Sequence, residues 1–495
     1  MPIYKSNSIL SEISVFFKKD DSNSALFTLT DMLKGFNMSE KVLFGSRSKC
    51  NSKYSLLQVL ELLIMFPCFM IKNPYNYCRS SLSGFFGCEK DVFYRFVNNE
   101  IYDWRKILYH FTIQIWNKVR VRSDHKHQTV CLMVDDTDFP KTGRRIENIG
   151  RVYSHLRHKT ILGFKSLFLG ITDGKSQFIL DFAILGEKGR KNNFSMSDKE
   201  LESRFTKDRD EASPVVTRAK EYGESKIQLM ITMIKRAIRK GIRFDYLLAD
   251  SWFTCSEVIR FIRARHIKCH YLGMIKIGKK GVTKYGFEGK ELTARALINL
   301  LEARGEARRS RKLGCQYITA DVRFAGTDVR LYFVKRKKES WNGIMTTNLS
   351  LEFLEAYRIY AMRWSLEVFF KETKGLLGMG KCQSRNFAAQ LAATTITALQ
   401  YNLLSLAKRF TSYETIGGIF RDVQHSGMEL SVTERIWGII LEMVKIMTGI
   451  FSIEEEEIFD AIINKSDNLA HFINFYELKS ASCKPSVIGV LDCFD

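Results

Sequence analysis

Proline and glycine are sparse in this chain, 6 and 31 of 495 residues, which excludes collagen-like and proline-rich extended architectures. Cysteine is present but unorganised. The 11 residues, an odd number, contain no C-x-x-C pair, so neither a disulfide framework nor a zinc ribbon is expected. Scattered free thiols fit a reducing compartment. Long hydrophobic runs are lacking too: the most apolar stretch, Leu56 to Ile71, is interrupted by Glu61 and Pro67 and is too short for a membrane span. The amino terminus, MPIYKSNSILSEISVFFKK, has neither the apolar centre nor the small-residue cleavage site of an export signal. A soluble cytoplasmic protein with no membrane partner is therefore expected. Acidic residues are outnumbered, 54 against 76 basic, for a net charge of +22. In a folded chain that excess favours a polyanionic partner, nucleic acid before membrane surface. Apolar residues are plentiful at 45%, enough to bury a large core, and at roughly 150 residues per domain the length predicts about three domains.

Residues 1 to about 122 read as helical, because apolar residues recur at three- and four-residue spacing through LLQVLELLIMF and WRKILYHFTIQIW. A polar loop around Asn73–Ser83 separates them. The basic stretch from Lys118 to Lys126 leaves two readings open, a helix-turn-helix DNA reader and an ordinary bundle. From Thr129 the texture changes. VCLMV is a buried strand that ends in Asp135, Asp136 and Asp138, and KSLFLGIT and SQFILDFAI flank Asp173-Gly174-Lys175, a hairpin turn. After a charged loop from about Glu187 to Glu224, KIQLMITMIKRAIRK has helical periodicity, and Gly241 ends it before the strand FDYLLAD. The order is β-β-β-α-β with carboxylates at the ends of the first and last strands. Residues 256–340 carry a short helix through Glu257–Arg265, basic sequence including KIGKKG and RRSRK, and a hairpin of YITADVRF and VRLYFVKRKK. IMTTNL is one more strand, and a long helix is predicted from about Leu351 to Leu377. From Phe387 onward the pattern is helical through GGIFRDVQ and RIWGIILEMVKIM, with an acidic run at Glu454–Glu457.

The segment AYRIYAMRWSLEVFFKETKGLLG carries the chemistry. At about 100° per helical residue, Tyr360, Arg363, Glu367, Lys371 and Lys374 fall within one arc of about 80°. Leu366, Phe369, Phe370 and Met362 lie off that arc and can bury the helix. A carboxylate flanked by cations on a rigid element suits a phosphodiester: the acid ligates a divalent ion while Arg and Lys take non-reacting phosphates. The plain alternative is a solvated face with Glu–Lys pairs at i,i+4. Against it stand Asp136 and Asp250, at the ends of strands whose order can bring three carboxylates together. Such a triad holds two Mg²⁺ ions, with Mn²⁺ as a substitute, and such ions drive in-line phosphoryl transfer.

The pattern Tyr-x2-Arg-x3-Glu-x6-Lys at Tyr360, Arg363, Glu367 and Lys374 resembles the signature of the insertion-sequence-four group of DDE transposases. DDTDFPKTG (Asp135–Gly143) and LLADSWF (Leu247–Phe253) are similar to the group's first two catalytic blocks. The resemblance implies a catalytic, metal-binding triad of Asp136, Asp250 and Glu367. Asp136 is preferred to Asp135 because it directly precedes Thr137, and the doublet leaves that choice open. Tyr360, Arg363 and Lys374 would contact DNA, with Lys371 added from the helical arc. The implied fold is an α/β RNase H-like mixed sheet flanked by helices (123–255 and 341–386), interrupted by a mostly β, basic insertion domain (256–340). Helical regions lie at either end: 1–122, with a DNA-binding role, and 387–495, with a dimerisation role. The implied function is cut-and-paste transposition of an insertion sequence. It acts on double-stranded DNA as element ends and target, in a homodimeric paired-end complex at the bacterial nucleoid. A nuclease that cuts without joining and an inactive DNA-binding derivative are the alternatives.

Weaker signals are His266, Cys269 and His270, which lack a fourth zinc ligand; His155 and His158 in a basic stretch; Lys141, within reach of a phosphate; and Trp341 and Trp364, aromatics that base flipping would use.

Overall fold

The computed structural model describes residues 35–425 apart from 37–38, 46–53, 81–82, 84–87, 122–127, 265–266, 279–282, 338 and 412–413. The chain divides into units 1–427 and 428–495, and every described residue lies in the first. The predicted helix RIWGIILEMVKIM, the acidic run Glu454–Glu457, His266, and parts of the basic stretches at 118–126 and 276–281 lie outside the described residues. No described helix is long and apolar enough to cross a membrane.

The amino-terminal region is helical, as its periodicity predicts. Helix α1 (Leu56–Met65), α2 (Lys90–Val97) and α3 (Trp104–Val121) bury the apolar positions of each turn. Within the expected polar loop sits a one-turn helix, Pro74–Cys78, with Asn73 accepting the Asn76 N–H at its start.

A sheet of 12 strands follows, mostly antiparallel. Its central part comprises β1 (Cys131–Pro140), β2 (Gly150–Ser154), β3 (Lys159–Thr172), β4 (Gln177–Leu185) and, after helix α4 (Lys226–Arg239), β5 (Tyr246–Ala249) and β6 (His270–Ile275). β3 lies antiparallel to β1 and carries β2 and β4, while β5 is parallel to β1 and β6 parallel to β5. Helix α4 forms as its pattern predicts: Ser225 caps it by accepting the Gln228 N–H, Leu229, Met230, Met233, Ile234 and Ala237 are buried, and Gly241 follows with φ 82°.

Residues 284–346, most of them read from the sequence as a basic insertion domain, continue this sheet. Strands β7 (Lys284–Phe287), β8 (Lys290–Thr293), β9 (Arg308–Ser310), β10 (Cys315–Phe324) and β11 (Thr327–Arg336) join it through β12 (Asn342–Thr346), which pairs with both β11 and β6. The β10–β11 hairpin turns on Ala325 and Gly326, both with positive φ. Helix α5 (Ala294–Ala303) was not anticipated.

The single helix expected from Leu351 to Leu377 is two: α6 (Phe353–Ala361) and α7 (Trp364–Leu376). Between them the backbone tightens, with Arg363 N–H donating to Tyr360 O and Leu366 N–H to Arg363 O, both at 3.0 Å and three residues apart. The Ser365 hydroxyl donates to Met362 O at 2.7 Å, competing with the regular ladder. The continuous 80° arc therefore does not hold, because Tyr360 belongs to the earlier helix.

Helix α8 (Phe387–Phe410) and α3 close the outer side of β4. Asn402 accepts the Ile179 N–H at 2.7 Å and donates to Ile179 O at 2.9 Å, while Thr112 donates to the same carbonyl at 2.9 Å. Side chains thus satisfy backbone groups of β4. Beneath this lies a buried ion cluster, in which Arg105 bonds Asp181 and Glu221 at 2.8 Å each, and Arg236 bonds both acids as well.

Candidate active site

β1 is fully buried from Cys131 to Val134 and half-buried from Asp135 to Asp138, so the carboxylates emerge where the strand leaves the core. Side chains alternate along a strand, and the contacts fix which side each takes. Met133, Asp135 and Thr137 face helix α7 and its entry: Ser365 Oγ lies 3.1 Å from Met133 Sδ, Arg363 Nη1 lies 2.8 Å from Asp135 Oδ2, and Lys374 Nζ donates to Thr137 Oγ1 at 2.5 Å. The parallel register of β1 and β5 runs Cys131–Tyr246 to Val134–Ala249. One further step sets Asp135 beside Asp250.

Arg363 links this pair to the helix, because its second nitrogen, Nη2, donates to Glu367 Oε1 at 2.6 Å. The guanidinium thus spans Asp135 and Glu367. Burial works against its charge, yet Tyr360, Asp135 and Glu367 together hold it firmly protonated. Burial raises the Asp135 carboxyl to about 6; Arg363 opposes that rise, and Asp250 and Asp136 add to it. Tyr360 is pushed up to about 12, chiefly by burial, and its ring lies 5.8 Å from the Arg363 guanidinium carbon. Burial draws the Lys374 ammonium below its ordinary range. Lys371 is exposed on α7, one turn beyond Glu367.

Asp136 and Asp138 face the other way. Lys165, on β3 and only 2% exposed, lies 3.5 Å from Asp136, 3.0 Å from Asp138 and 3.7 Å from Glu187. Lys226, at the start of α4, donates to both oxygens of Asp136 at 3.0 Å. Of the doublet, it is therefore Asp135 and not Asp136 that stands with Asp250 and, through Arg363, with Glu367. The alternation of the strand is the physical reason, since adjacent residues cannot share a face.

Hard carboxylate oxygens are the right donors for a divalent ion of the Mg²⁺ type. Among the described residues no three His, Cys, Asp or Glu side chains already form a metal-holding group, and Arg363 supplies the positive charge between Asp135 and Glu367. The donor chemistry of Asp135 and Asp250 fits such an ion, while Glu367 is bonded to Arg363.

Sequence reasoning did not single out Lys165, Lys226 or Trp252. A lysine inside the otherwise apolar β3 is a signal for Lys165, and LLADSWF contains Trp252 two residues after Asp250. Lys141 is not available to a phosphate: its ammonium donates to Gly380 O at 2.8 Å and Cys382 O at 2.7 Å, tying the chain beyond α7 to the end of β1. His155 and His158 are exposed between β2 and β3. Cys269 is buried, and His270 Nδ1 lies 3.4 Å from Thr347 Oγ1. Trp341 packs against the core with Lys335 over its ring, and Trp364 is exposed.

Residues 84–273 match the model of a family described as DDE superfamily endonuclease. The matched span includes Asp135 and Asp250 and ends before Glu367. No curated protein matches the chain. Among solved structures, the piggyBac transposase synaptic complex with hairpin DNA is similar at 12% identity and a TM-score of 0.42, over 83% of this chain and 82% of that one. The NurA nuclease from Sulfolobus solfataricus is similar at 11% and 0.22, over 52% and 83%. The Drosophila P element transposase strand transfer complex is similar at 10% and 0.21, over 55% and 54%. These structural likenesses are slight. Over its matched span the chain resembles DDE-type endonucleases, a superfamily whose enzymes generally depend on divalent metal ions.

Proposed function

We propose that the chain is a DDE-type DNA transposase that hydrolyses a phosphodiester at the end of a mobile element and joins the freed 3′-hydroxyl to target DNA. The observation that carries this reading is that Asp135 and Asp250 each follow directly on the last paired residues of parallel strands β1 and β5, near enough for Asp250 to act on the Asp135 carboxyl, with Arg363 linking Asp135 to Glu367. Support comes from the family match over residues 84–273 and from the Tyr-x2-Arg-x3-Glu-x6-Lys pattern, which lies outside that span. The order β4-β3-β1-β5-β6, three antiparallel strands and then two parallel to β1, supports reading this part of the sheet as an RNase H-like core, and the Tyr360–Lys374 pattern supports the insertion-sequence-four assignment.

Asp135, Asp250 and Glu367 would hold the divalent ions, two Mg²⁺ in this reading. Such ions activate a water or 3′-hydroxyl and stabilise the leaving oxygen. The chain's own residues do the rest. Arg363, once Glu367 is released, presents its planar guanidinium to a non-bridging phosphate oxygen, and Lys374 faces the same strand from the next turns of α7. Tyr360 packs beneath Arg363 and fixes where it points. Lys371, exposed, takes a neighbouring backbone phosphate. Asp136 acts indirectly, holding Lys226 and Lys165 on the far side of β1. The helical amino-terminal region would add DNA contacts, and residues 387–495 the contacts of a homodimer bridging two element ends.

The test uses the full-length protein, Mg²⁺, a target plasmid and a duplex ending in the inverted repeat read from the DNA flanking the coding sequence. Cleavage at the repeat and covalent joining to the plasmid support the reading. Cleavage without joining leaves a nuclease only, and neither product from the wild-type protein overturns the reading. Asp250→Asn retains DNA binding and loses both products.

A further inference from the structure

We propose that Lys141 is a positioning residue, whose buried ammonium pins the exit of helix α7 to the end of strand β1 and so fixes how Glu367 and Lys374 stand over that strand. The inference deepens the DNA-cleaving reading above and rests on it. A lysine is almost never buried without a paired acid. Lys141 is only 6% exposed, yet its ammonium donates to two backbone carbonyls, Gly380 O at 2.8 Å and Cys382 O at 2.7 Å, with the Phe164 ring 5.9 Å away. Carbonyls offset only part of the cost of burying the charge, and burial draws the ammonium down to about 8.

Both sides of this bridge are rigid. The Lys141 N–H donates to Leu162 O of β3 at 2.9 Å, which fixes the lysine to the sheet. On the other side, the Leu377 and Met379 N–H groups both donate to Thr373 O, at 3.1 and 3.0 Å, and Thr373 is fully buried. The chain beyond α7 therefore closes the helix as a firm cap. Gly380, with φ 81°, lies directly on β1, where a Cβ would come within 3.0 Å of the Phe139 ring. Gln390 of α8 holds the same segment from its far side, donating to Ser384 O at 2.7 Å. Helix α7 is thus bridged to β1 at both ends, by Arg363 to Asp135 at its entry and by Lys141 at its exit, with Lys374 on Thr137 between them. Once Arg363 gives up Asp135, as metal binding in this reading requires, the entry bridge is open. The exit bridge remains, and it keeps Glu367 within reach of the strand.

The test combines amide hydrogen exchange with steady-state nicking of the inverted-repeat duplex in Mg²⁺, both on the full-length protein well below its Tm. Two variants disturb the bridge independently: Lys141→Met keeps the apolar stem and loses the donors, and Gly380→Ala pushes the segment off Phe139 with the charge intact. In each, exchange across residues 377–382 speeds at least about tenfold, the effect of losing a hydrogen bond to a charged group, while α4 exchanges as in the wild type. Each lowers kcat about 100-fold, as a small misplacement of reacting groups does, and leaves KM for DNA within about threefold. Asp181→Ala, destabilised away from the bridge, lowers Tm without lowering kcat per folded molecule. Unchanged exchange in Lys141→Met overturns the proposal, as does faster exchange with wild-type kcat, or a raised KM at wild-type kcat, which would make Lys141 a DNA contact. The two readings fail separately. A wild-type protein that nicks DNA while Lys141→Met exchanges and nicks as it does removes this inference alone. A wild-type protein that nicks nothing removes the cleavage reading, and exchange still decides whether Lys141 pins α7.

Discussion

Arg363 and Asp135, 228 residues apart in sequence, form an ion pair 2.8 Å long between the entry to helix α7 and strand β1. The pair fixes which carboxylate of the Asp135–Asp136 doublet belongs to the face that α7 covers, and four predictions rest on it and on the sheet around it.

Asp135→Asn abolishes plasmid nicking, whereas Asp136→Asn lowers the rate by less than about tenfold, or ~1.4 kcal/mol of barrier. The second change acts instead on stability. It removes one of three carboxylates around the buried Lys165 and costs about 1.5–3 kcal/mol, the scale of a hydrogen bond to a charged group. Nicking rates and thermal melting on the same samples separate the two effects.

Arg363→Gln frees Asp135 and Glu367 from their shared cation. Titration calorimetry with Mn²⁺ in the absence of DNA then shows tighter binding than in the wild-type protein, while DNA cleavage slows and end binding becomes less sensitive to salt. Weaker Mn²⁺ binding by this variant contradicts the competition between guanidinium and metal.

The acid limb of the nicking rate falls near pH 6, because burial, against Arg363 and with the help of Asp250 and Asp136, raises the Asp135 carboxyl to about 6 and a metal ligand must be ionised. Asp136→Asn, by removing one of those charges, moves the limb to lower pH. The sign for stability is opposite. A carboxyl whose folded value lies above its unfolded one favours folding most below the unfolded value near 4, and that contribution is lost as pH rises through about 6. A rate profile from pH 5 to 8 at Mg²⁺ well below saturation, where proton and metal compete for the carboxylate, checks the limb, and melting of the metal-free protein checks the stability trend.

Asp181→Ala leaves Arg105 and Arg236 to share Glu221 alone of their two buried acids, an under-compensated buried charge that destabilises the protein by about 3 kcal/mol, visible as a drop in Tm. Burial opposes ionisation of Asp181, but Arg105, Arg236 and Arg218 hold it below the usual carboxylate range. Its stabilising effect is therefore complete above that ordinary range and is lost as pH falls into acid.

Much of the central sheet was legible because its strands are buried on both faces: VCLMV, SQFILDFAI and FDYLLAD read as strands from apolar runs alone. β2 was not, since GRVYS is short and lies in a stretch whose basic residues dominate. β6 and helix α5 were hidden for a similar reason, flanked by glycine-rich basic sequence that reads as loop. The break between α6 and α7 carries no proline or glycine, and only the Ser365 hydroxyl and the tightened turn reveal it. Asp250 and Glu367 were singled out by motif and position. The doublet was different in kind. Alternation says that Asp135 and Asp136 face opposite ways, but which face α7 covers depends on contacts such as Arg363 to Asp135 that no local pattern encodes.

The central claim, that Asp135, Asp250 and Glu367 form one metal-holding site, is tested most directly by anomalous diffraction from crystals of the full-length protein grown with Mn²⁺. The account predicts a manganese peak bonded to oxygens of Asp135 and Asp250, with Glu367 turned away from Arg363. A peak between Asp136 and Asp138, on the Lys165 side of β1, contradicts it.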